Sequence, residues 1–170
     1  MEVRAASVDD AGAVAAVHVR SWQGAYRGLI PDAYLDALSV PRRREVWSRI
    51  LAESDLPRTG AFVLQEGLVV IGFIHIAPTR DDDLPASTGE VTALYVEPSA
   101  WGLGGGRQLL DAAKASLKAA GFPAAALWVL ETNVVARRFY ERQGWAPDGA
   151  RKVDDRGDLV LLEVRYATTL

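Results

Sequence analysis

Four glycines in five residues are the feature of this sequence most suited to binding a ligand. They lie in the segment Trp101-Gly102-Leu103-Gly104-Gly105-Gly106, here called the glycine turn, between a strand-like run and a helical run. Glycine adopts positive φ readily and has no Cβ to keep a ligand away from the backbone amides. Because amides at a helix N-terminus also carry partial positive charge, the segment predicts a phosphate or pyrophosphate site.

Arg107 follows the glycine turn, in the first turn of the predicted helix. A cation there is mildly disfavoured by the helix dipole, and a bound anion would remove the mismatch. From the residues alone, the alternative is a flexible strand-to-helix connection with an exposed arginine.

Two familiar phosphate-binding motifs do not fit the glycine turn. A P-loop needs Lys-Ser or Lys-Thr after its last glycine, where this chain has Arg107-Gln108. A dinucleotide fingerprint beginning at Gly102 needs Gly or Ala in the place of Arg107. The spacing therefore disfavours a dinucleotide-dependent oxidoreductase.

The flanking elements follow from periodicity and from cap residues. A short strand is expected at Glu2 to Ala5, followed by a helix to about Arg20 and by two helices that begin near Pro31 and Pro41. Strands are predicted over residues 61–65, 68–77, 90–96, 124–130 and 159–166, the first two as a hairpin turning at Glu66-Gly67. Helices are predicted over residues 107–120 and from Thr132 or Asn133 to Gly144. Two polar segments, residues 79–88 and 148–158, are expected as loop and turn. The sum is one mixed α/β domain over residues 1–170.

Composition excludes several classes of protein. The chain has 170 residues, 49% hydrophobic and 24% charged, as expected for a soluble globular domain. With no cysteine and two histidines, we expect no disulfide, no thiolate nucleophile and no bound metal. A net charge of −3 argues against nucleic acid as a partner. The absence of a long apolar run argues against the membrane and favours the cytoplasm.

Two motifs in this sequence together resemble the GNAT superfamily of N-acetyltransferases. The first is a strand ending in Leu94-Tyr95-Val96, followed by the glycine turn and a helix. The second is an Asn-x-x-Ala-x-x-Phe-Tyr-x-x-x-Gly-Phe/Trp pattern, complete here as Asn133, Ala136, Phe139, Tyr140, Gly144 and Trp145. The resemblance covers residues 61–145 well. One departure is Trp101, where the family most often has Gln or Arg.

The resemblance implies a fold and a donor substrate. The fold is a mixed, mostly antiparallel sheet flanked by helices and splayed where acetyl-CoA enters. The pyrophosphate of acetyl-CoA would lie on the amides of Gly102, Leu103, Gly104, Gly105, Gly106 and Arg107. Its pantetheine arm would pair with the backbone of Leu94, Tyr95 and Val96, and Asn133, Ala136 and Tyr140 would complete the donor site.

The resemblance also implies catalytic roles. Tyr140 would be the general acid for the CoA thiolate, although a helical tyrosine on its own is usually packed with its hydroxyl merely satisfied. Glu90 would be the general base, often through water, with an exposed glutamate at a strand end as the alternative. Strand alternation places Glu90 and Thr92 on the face of Leu94 unless a bulge intervenes, so that Thr92 could position a water there. His75 is a rival base because imidazole titrates near neutral pH, or else a hydrogen-bonded structural residue.

The acceptor side is less specific. His18, Trp22 and Tyr26 recur every four residues, which is typical of core packing or of a partner surface. The resemblance implies that Trp22 and Tyr26 form an acceptor wall, and His75 is a third candidate on that side. The run Asp81-Asp82-Asp83 is expected as a solvated loop that could also attract a cationic amine.

The resulting expectation is direct transfer of acetyl from acetyl-CoA to a primary amine on a small molecule or peptide. Without a cysteine to be acylated, direct attack by the amine in a ternary complex is the simplest route. The resemblance makes a homodimer plausible. The alternative is a non-catalytic acyl-CoA sensor, which would keep the donor site but need neither Tyr140 nor Glu90.

Overall fold

The computed structural model describes residues 1–157 and 159–170. In chain order its elements are β1 (Glu2–Ala5), α1 (Ala11–Ala25), α2 (Asp32–Asp36), α3 (Val40–Ala52), β2 (Gly60–Glu66), β3 (Val69–Pro78), β4 (Thr88–Val96), α4 (Gly105–Ala119), β5 (Ala124–Leu130), α5 (Val134–Arg142), β6 (Ala146–Asp155) and β7 (Val160–Thr169). Short 3-10 turns precede α1 and follow β4. None of the described helices is both long and apolar enough to cross a bilayer.

The strands form one seven-stranded sheet in the order β1-β2-β3-β4-β5-β7-β6. Every neighbouring pair is antiparallel except β4 and β5, which run parallel. The mixed, mostly antiparallel sheet expected from the sequence is therefore confirmed. Parallel neighbours need a crossover, and α4 supplies it between β4 and β5.

The sheet opens between β4 and β5. Their ladder runs from Thr88↔Ala124 to Val91↔Leu127 and then ends, while β4 continues to Val96 and β5 to Leu130. The two strands therefore diverge over their C-terminal halves, as the resemblance implies. This opening lies directly before the glycine turn in the chain.

Two groups of helices cover the two faces of the sheet. On one face, α1 and α3 bury Val14, Val17 and Trp47 against Val63 and Phe73. On the other face, α4 buries an apolar stripe at helical spacing, formed by Leu109, Leu110, Ala113 and Leu117, and α5 adds Phe139 and Tyr140. The two helices on this face, α4 and α5, are thus anchored by their apolar sides.

Three boundaries differ from the sequence-based expectation. Helix α1 continues to Ala25 instead of ending near Arg20, because its last turns are held by the packing of Trp22 and Tyr26 against the sheet. The hairpin turn between β2 and β3 lies at Gly67-Leu68, one residue later than predicted, with Gly67 at φ +59°. The final strand is Val160–Thr169.

The polar segment 148–158 was the largest error of the sequence-based prediction. Most of it belongs to β6, which pairs with β7 from Arg151↔Val164 to Asp155↔Val160. An edge strand at the end of the sheet needs few apolar residues, and the irregularity between Pro147 and Arg151 interrupts its alternation further. Asp158, the last residue of the predicted turn, lies outside the described residues.

Candidate active site

A cleft of 1210 Å³ follows the opening between β4 and β5. Of the residues singled out from sequence, its wall contains Trp22, Tyr26, Glu90, Leu94, Tyr95, Val96, Gly102, Gly104, Gly105, Gly106, Arg107, Asn133, Ala136 and Tyr140. Leu103 and His75 are not among the residues that line it. Residues that are as much as 118 positions apart in the sequence thus share one cavity, from Trp22 to Tyr140.

The glycine turn ends in free backbone donors. Gly102 and Gly104 have φ of +79° and +88°, which disfavour any residue with a Cβ. Within α4, the first backbone amide that donates to a preceding carbonyl is that of Gln108, which donates to the Gly104 carbonyl at 3.2 Å. The amides of Gly105, Gly106 and Arg107 therefore have no backbone acceptor in the described chain. They lie at the positive end of α4, as an anion site requires.

Of the other two glycines of the turn, Gly105 serves packing. A Cβ on Gly105 would overlap the side chain of Leu64, whereas one on Gly106 would lie at van der Waals distance, 3.4 Å, from the Phe139 ring. Helix α4 therefore approaches β2 closely because Gly105 has no side chain. The Arg107 side chain is 71% exposed and pairs with Asp111 at 3.5 Å, which also moderates the unfavourable position of its charge.

The backbone of β4 presents unpaired groups to the cleft. The Glu97 amide donates to the Ile71 carbonyl of β3 at 2.8 Å. This bond shows which alternate residues of β4 direct their backbone groups toward β3. The backbone groups of Tyr95 therefore point toward β3, and those of Leu94 and Val96 point toward the opening. Because the ladder to β5 has already ended, the N–H of Val96 and both backbone groups of Leu94 have no strand partner.

The carbonyl of Val96 is already occupied by the chain itself. It accepts from the Trp101 indole Nε1–H at 2.7 Å and from the Ser21 hydroxyl at 3.1 Å. Trp101, the departure from the family motif, is thus folded back onto the end of β4. Its ring remains in the cleft wall, between α1 and the glycine turn.

Helix α5 brings three motif residues to the cleft. Asn133 caps the helix by accepting from the Ala136 amide at 3.1 Å through Oδ1, so its side-chain N–H groups remain for other partners. Ala136 and Tyr140 follow along the same face. Tyr140 is 8% exposed, and burial together with the nearby Tyr95 raises the pKa of its phenol well above the usual value. The phenol therefore stays protonated and can donate a proton.

A bulge at Thr92 reverses the face on which Glu90 lies. His75 pairs with Ala93 and Ile76 pairs with Val91, so Thr92 has no partner on β3. One extra residue shifts the alternation, and Glu90 shares a face with Ala93 and Tyr95 instead of Leu94 and Val96. The expected common face of Glu90, Thr92 and Leu94 is thus wrong.

Glu90 is also buried, not exposed at a strand end. It is 3% exposed, and its carboxylate accepts from the Arg80 guanidinium at 3.1 Å and from the Arg80 amide at 3.3 Å. It lines the cleft on the side of α1, where Trp22, Tyr26 and Tyr95 also lie. Burial raises the pKa of Tyr26 and of Tyr95.

The two histidines lie behind the cleft wall. Burial, with a smaller effect of Arg80, lowers the pKa of His75 to about 4. Burial, with Arg43 and Arg156, lowers the pKa of His18 to about 3. His18 accepts from the Trp47 indole at 3.1 Å and stacks on Tyr95 at 5.0 Å between ring centroids. Neither imidazole has the near-neutral pKa that suggested His75 as a base.

The far wall of the cleft consists of residues that were not predicted from the sequence. Lys152, Asp154, Arg156, Leu161 and Glu163 line it from the β6–β7 hairpin, and Trp128 lines it from β5. The charges there are paired within the chain: Lys152 with Glu163 at 3.3 Å and Arg156 with Asp154. Lys152 and Asp154 are two residues apart, as are Leu161 and Glu163. In a strand this spacing places both members of a pair on one face, which is the pattern that could have predicted them as wall residues.

The acidic run lies in a loop, as expected, with Asp82 and Asp83 exposed, and two of its carboxylates also clamp an arginine of β7. Arg165, only 5% exposed, donates to Asp81 at 3.1 Å, to Asp83 at 2.6 and 2.7 Å, and to Asp148 at 2.7 Å. Asp81 also accepts from the Trp128 indole at 2.9 Å. Two of the three carboxylates of the run are therefore hydrogen-bonded to the same guanidinium, and the run ties the β3–β4 loop to β7.

Replacing Arg165 with methionine is expected to lower the free energy of unfolding by about 2–3 kcal/mol, because three carboxylates would remain clustered without their cation. Urea denaturation followed by circular dichroism measures it. Arg27→Met is the matched control, since Arg27 also contacts two carboxylates, Asp32 and Asp36, but at the surface. Equal stabilities of the two variants would show that the clamp contributes no more than a surface ion pair.

These features agree with what comparison with known proteins shows. The sequence model of the acetyltransferase (GNAT) family matches residues 22–145, about three quarters of the chain, so the chain belongs to this family of acyltransferases.

The chain is 35% identical over 133 residues to the uncharacterised N-acetyltransferase YuaI of Bacillus subtilis (strain 168), covering 77% of this chain and 72% of that protein. It is 35% identical over 96 residues to a mycothiol acetyltransferase of Geodermatophilus obscurus, covering 55% of this chain but only 31% of that enzyme. The crystal structure of PaiA N-acetyltransferase from Thermoplasma acidophilum in complex with coenzyme A shares the fold, with a TM-score of 0.71, 21% identity and coverage of 99% of this chain and 98% of that chain.

Proposed function

We propose that this acyltransferase moves the acetyl group of acetyl-CoA to a primary amine by direct attack in a ternary complex. One observation carries the proposal: the free amides at the start of α4, the unpaired edge of β4 and a protonated Tyr140 phenol all face one cleft. An anionic donor with an extended arm fits this arrangement. The single domain over residues 1–170, the homodimer and the cytoplasmic location stay predictions.

The donor fits the residues present. The amides of Gly105, Gly106 and Arg107 supply hydrogen bonds and a helix dipole for a pyrophosphate. The N–H of Val96 and the backbone groups of Leu94 can pair with the amides of a pantetheine arm, as an added strand would. Bound acetyl-CoA supplies an activated thioester carbonyl. Because the Val96 carbonyl is occupied by Trp101 and Ser21, the arm has three backbone partners at these two residues and not four.

Tyr140 is proposed as the general acid. The departing thiolate needs a proton, and the Tyr140 hydroxyl projects from α5, the helix that borders the cleft beside β4. The phenol is protonated at neutral pH and can donate its proton as charge develops on the sulfur.

Glu90 is proposed as the general base acting through water. Its carboxylate lies in the cleft wall on the side of α1, opposite the face on which α4 packs, so that it can receive the proton of the incoming amine. Arg80 holds the carboxylate in place at 3.1 Å. The buried setting excludes bulk water except along the cleft.

The acceptor is proposed to bind between α1 and the C-terminal hairpin. Trp22, Tyr26 and Trp128 give this end aromatic walls, and its carboxylates are paired with the chain's own cations. The indole of Trp128 also has Lys152 at 4.3 Å and Arg165 at 5.4 Å from its ring. This arrangement favours a monoamine with an apolar body over a polycation.

The test is release of free CoA thiol from acetyl-CoA in the presence of phenethylamine, spermidine, alanine amide, an alanyl peptide or a lysine peptide. Amine-dependent release supports the proposal, and phenethylamine is expected to exceed spermidine. Protection from heat by acetyl-CoA without release by any of these amines would favour the non-catalytic sensor.

Glu90→Gln is expected to lower kcat/KM for the amine by about 100-fold while the dissociation constant of acetyl-CoA changes less than threefold, since the glutamine amide cannot accept the proton of the amine. Steady-state kinetics at saturating acetyl-CoA, together with calorimetry, measures the two quantities.

Glu97→Gln is the matched control for Glu90→Gln. Glu97 is also a buried carboxylate that pairs with a more exposed arginine, Arg20, but it does not line the cleft. Its substitution is expected to leave kcat/KM for the amine within twofold of the wild type. An unchanged kcat/KM in Glu90→Gln would assign the base to another group.

A further inference from the structure

The bulge in β4 places a hydroxyl at the point where the two strands separate. Thr92 is the residue without a partner on β3, and it directly follows Val91, the last residue of β4 that pairs with β5. It lines the cleft, between Glu90 and the strand edge at Leu94. In the proposed reaction this is the region in which the thioester and the amine meet.

A histidine outside the cleft holds that hydroxyl. The Nδ1 atom of His75 lies 2.6 Å from the Thr92 oxygen, a short hydrogen bond between neighbouring strands. His75 itself is packed beside the Trp47 ring at 5.9 Å and does not line the cleft. The imidazole therefore acts on the cleft only through Thr92.

The direction of this hydrogen bond decides what Thr92 offers to a ligand. A threonine hydroxyl has one proton and two lone pairs. If the proton is donated to Nδ1, the oxygen presents only acceptor capacity to the cleft. If Nδ1 carries the proton, the hydroxyl is free to donate into the cleft.

A nucleophilic amine requires acceptors and is inhibited by donors. Its lone pair must reach the carbonyl carbon, while its N–H groups need hydrogen-bond acceptors that orient it. A hydroxyl that donated to the nitrogen would occupy the lone pair that attacks. A hydroxyl whose proton is held elsewhere orients the nitrogen without blocking it.

We propose that His75 is a positioning residue whose Nδ1 accepts a hydrogen bond from the Thr92 hydroxyl, so that the Thr92 oxygen can in turn accept an N–H of the attacking amine. The inference rests on the proposed function. No proton is transferred to His75: the amine loses its proton toward Glu90, and Thr92 keeps its own. The assignment replaces the role of base that the sequence suggested for His75.

The neutral state of His75 agrees with this role. Because burial holds its pKa near 4, the imidazole is uncharged at neutral pH and has one nitrogen available as an acceptor. The proposed hydrogen bond then requires the tautomer with the proton on Nε2. His18 provides an internal reference, because its Nδ1 accepts from Trp47 and so requires the same tautomer.

The first readout does not depend on activity. With ¹⁵N-labelled histidine at pH 7, both imidazoles are expected to show an unprotonated Nδ1 and a protonated Nε2. Thr92→Val is expected to shift the Nδ1 resonance of His75 and to leave that of His18 unchanged. A protonated Nδ1 on His75 would overturn the inference even if the enzyme is active.

The second readout is kinetic and uses the panel amine that turns over fastest. Thr92→Val is expected to lower kcat/KM for the amine about tenfold while KM for acetyl-CoA stays within twofold, and Thr92→Ser is expected to retain activity. The matched control is Thr59→Val, which removes a hydroxyl that donates to the Ile76 carbonyl at 3.2 Å away from the cleft. Equal kinetics of the Thr92→Val and Thr59→Val variants would contradict the inference.

A double-mutant cycle separates positioning from structure. His75→Leu is expected to lower kcat/KM for the amine in the wild type but not further in Thr92→Val, and His75→Gln is expected to recover part of the loss because its amide oxygen can accept from Thr92. Independent, additive losses would show that His75 acts by another route. If the wild type transfers acetyl to no amine, the proposed function fails, while the tautomer experiment still decides the arrangement of His75 and Thr92.

Discussion

Gly104→Val is expected to weaken acetyl-CoA binding at least 100-fold, or about 2.7 kcal/mol. Gly104 is the last residue before α4 and has φ +88°. A Cβ there would meet no protein atom within 4 Å, so the folded chain has room for it. The new side chain would instead occupy the space in front of the free amides of Gly105 and Gly106. Isothermal titration with acetyl-CoA measures the loss.

The matched control is Gly121→Val, just beyond the other end of the same helix. Gly121 has φ +85° and equally open surroundings, and it does not line the cleft. Both substitutions place a β-branched residue at positive φ, which costs of order 1–3 kcal/mol of folding free energy. Only Gly104→Val is expected to lose binding. Unchanged affinity in Gly104→Val would mean that the anion site is elsewhere.

Tyr140→Phe is expected to lower kcat about 100-fold while the dissociation constant of acetyl-CoA changes less than threefold. The substitution removes one oxygen and leaves the ring, which packs on Phe139 at 5.3 Å and Trp145 at 6.3 Å between centroids. The loss is therefore that of a proton donor and not of packing. Steady-state kinetics with the best amine, together with calorimetry, separates the two quantities.

Tyr166→Phe is the control for Tyr140→Phe. Tyr166 is fully buried, with its ring 6.4 Å from that of Tyr140, but its hydroxyl accepts from Arg137 at 3.1 Å and donates to Glu141 at 2.8 Å. Its substitution is expected to cost about 1–3 kcal/mol of stability and to leave kcat unchanged. A Tyr140→Phe variant with full turnover would transfer the role of general acid to water.

The parts of the molecule that were predictable from sequence are those set by local patterns. The apolar spacing of Leu109, Leu110, Ala113 and Leu117 defines α4, and the glycines before it define a turn with free amides. The order of strands near the cleft and the opening beside β4 followed from the resemblance to a known family. The helix and the turn depend on residues that are close together in the chain, whereas the strand order and the opening came from the resemblance alone.

The features that sequence did not reveal depend on partners far away in the chain. The face of Glu90 is set by one bulged residue, and a single insertion of this kind is invisible in a hydrophobic pattern. The acidic run finds its cation in Arg165, more than 80 positions later. Strand β6 is polar because it lies at the sheet edge, where pairing with β7 and not burial holds it.

The binding of acetyl-CoA in this cleft is tested most directly by amide hydrogen exchange of the wild-type protein with and without saturating acetyl-CoA. Protection is expected at two separate places, the amides of Gly105 to Arg107 at the start of α4 and the amides of Leu94 and Val96 on the open edge of β4. Neither set of amides has a backbone acceptor within the described chain, so bound acetyl-CoA would supply the acceptors that protect them. Binding of acetyl-CoA without protection at either place, or with protection confined to another surface, would show that this cleft does not hold the acetyl donor.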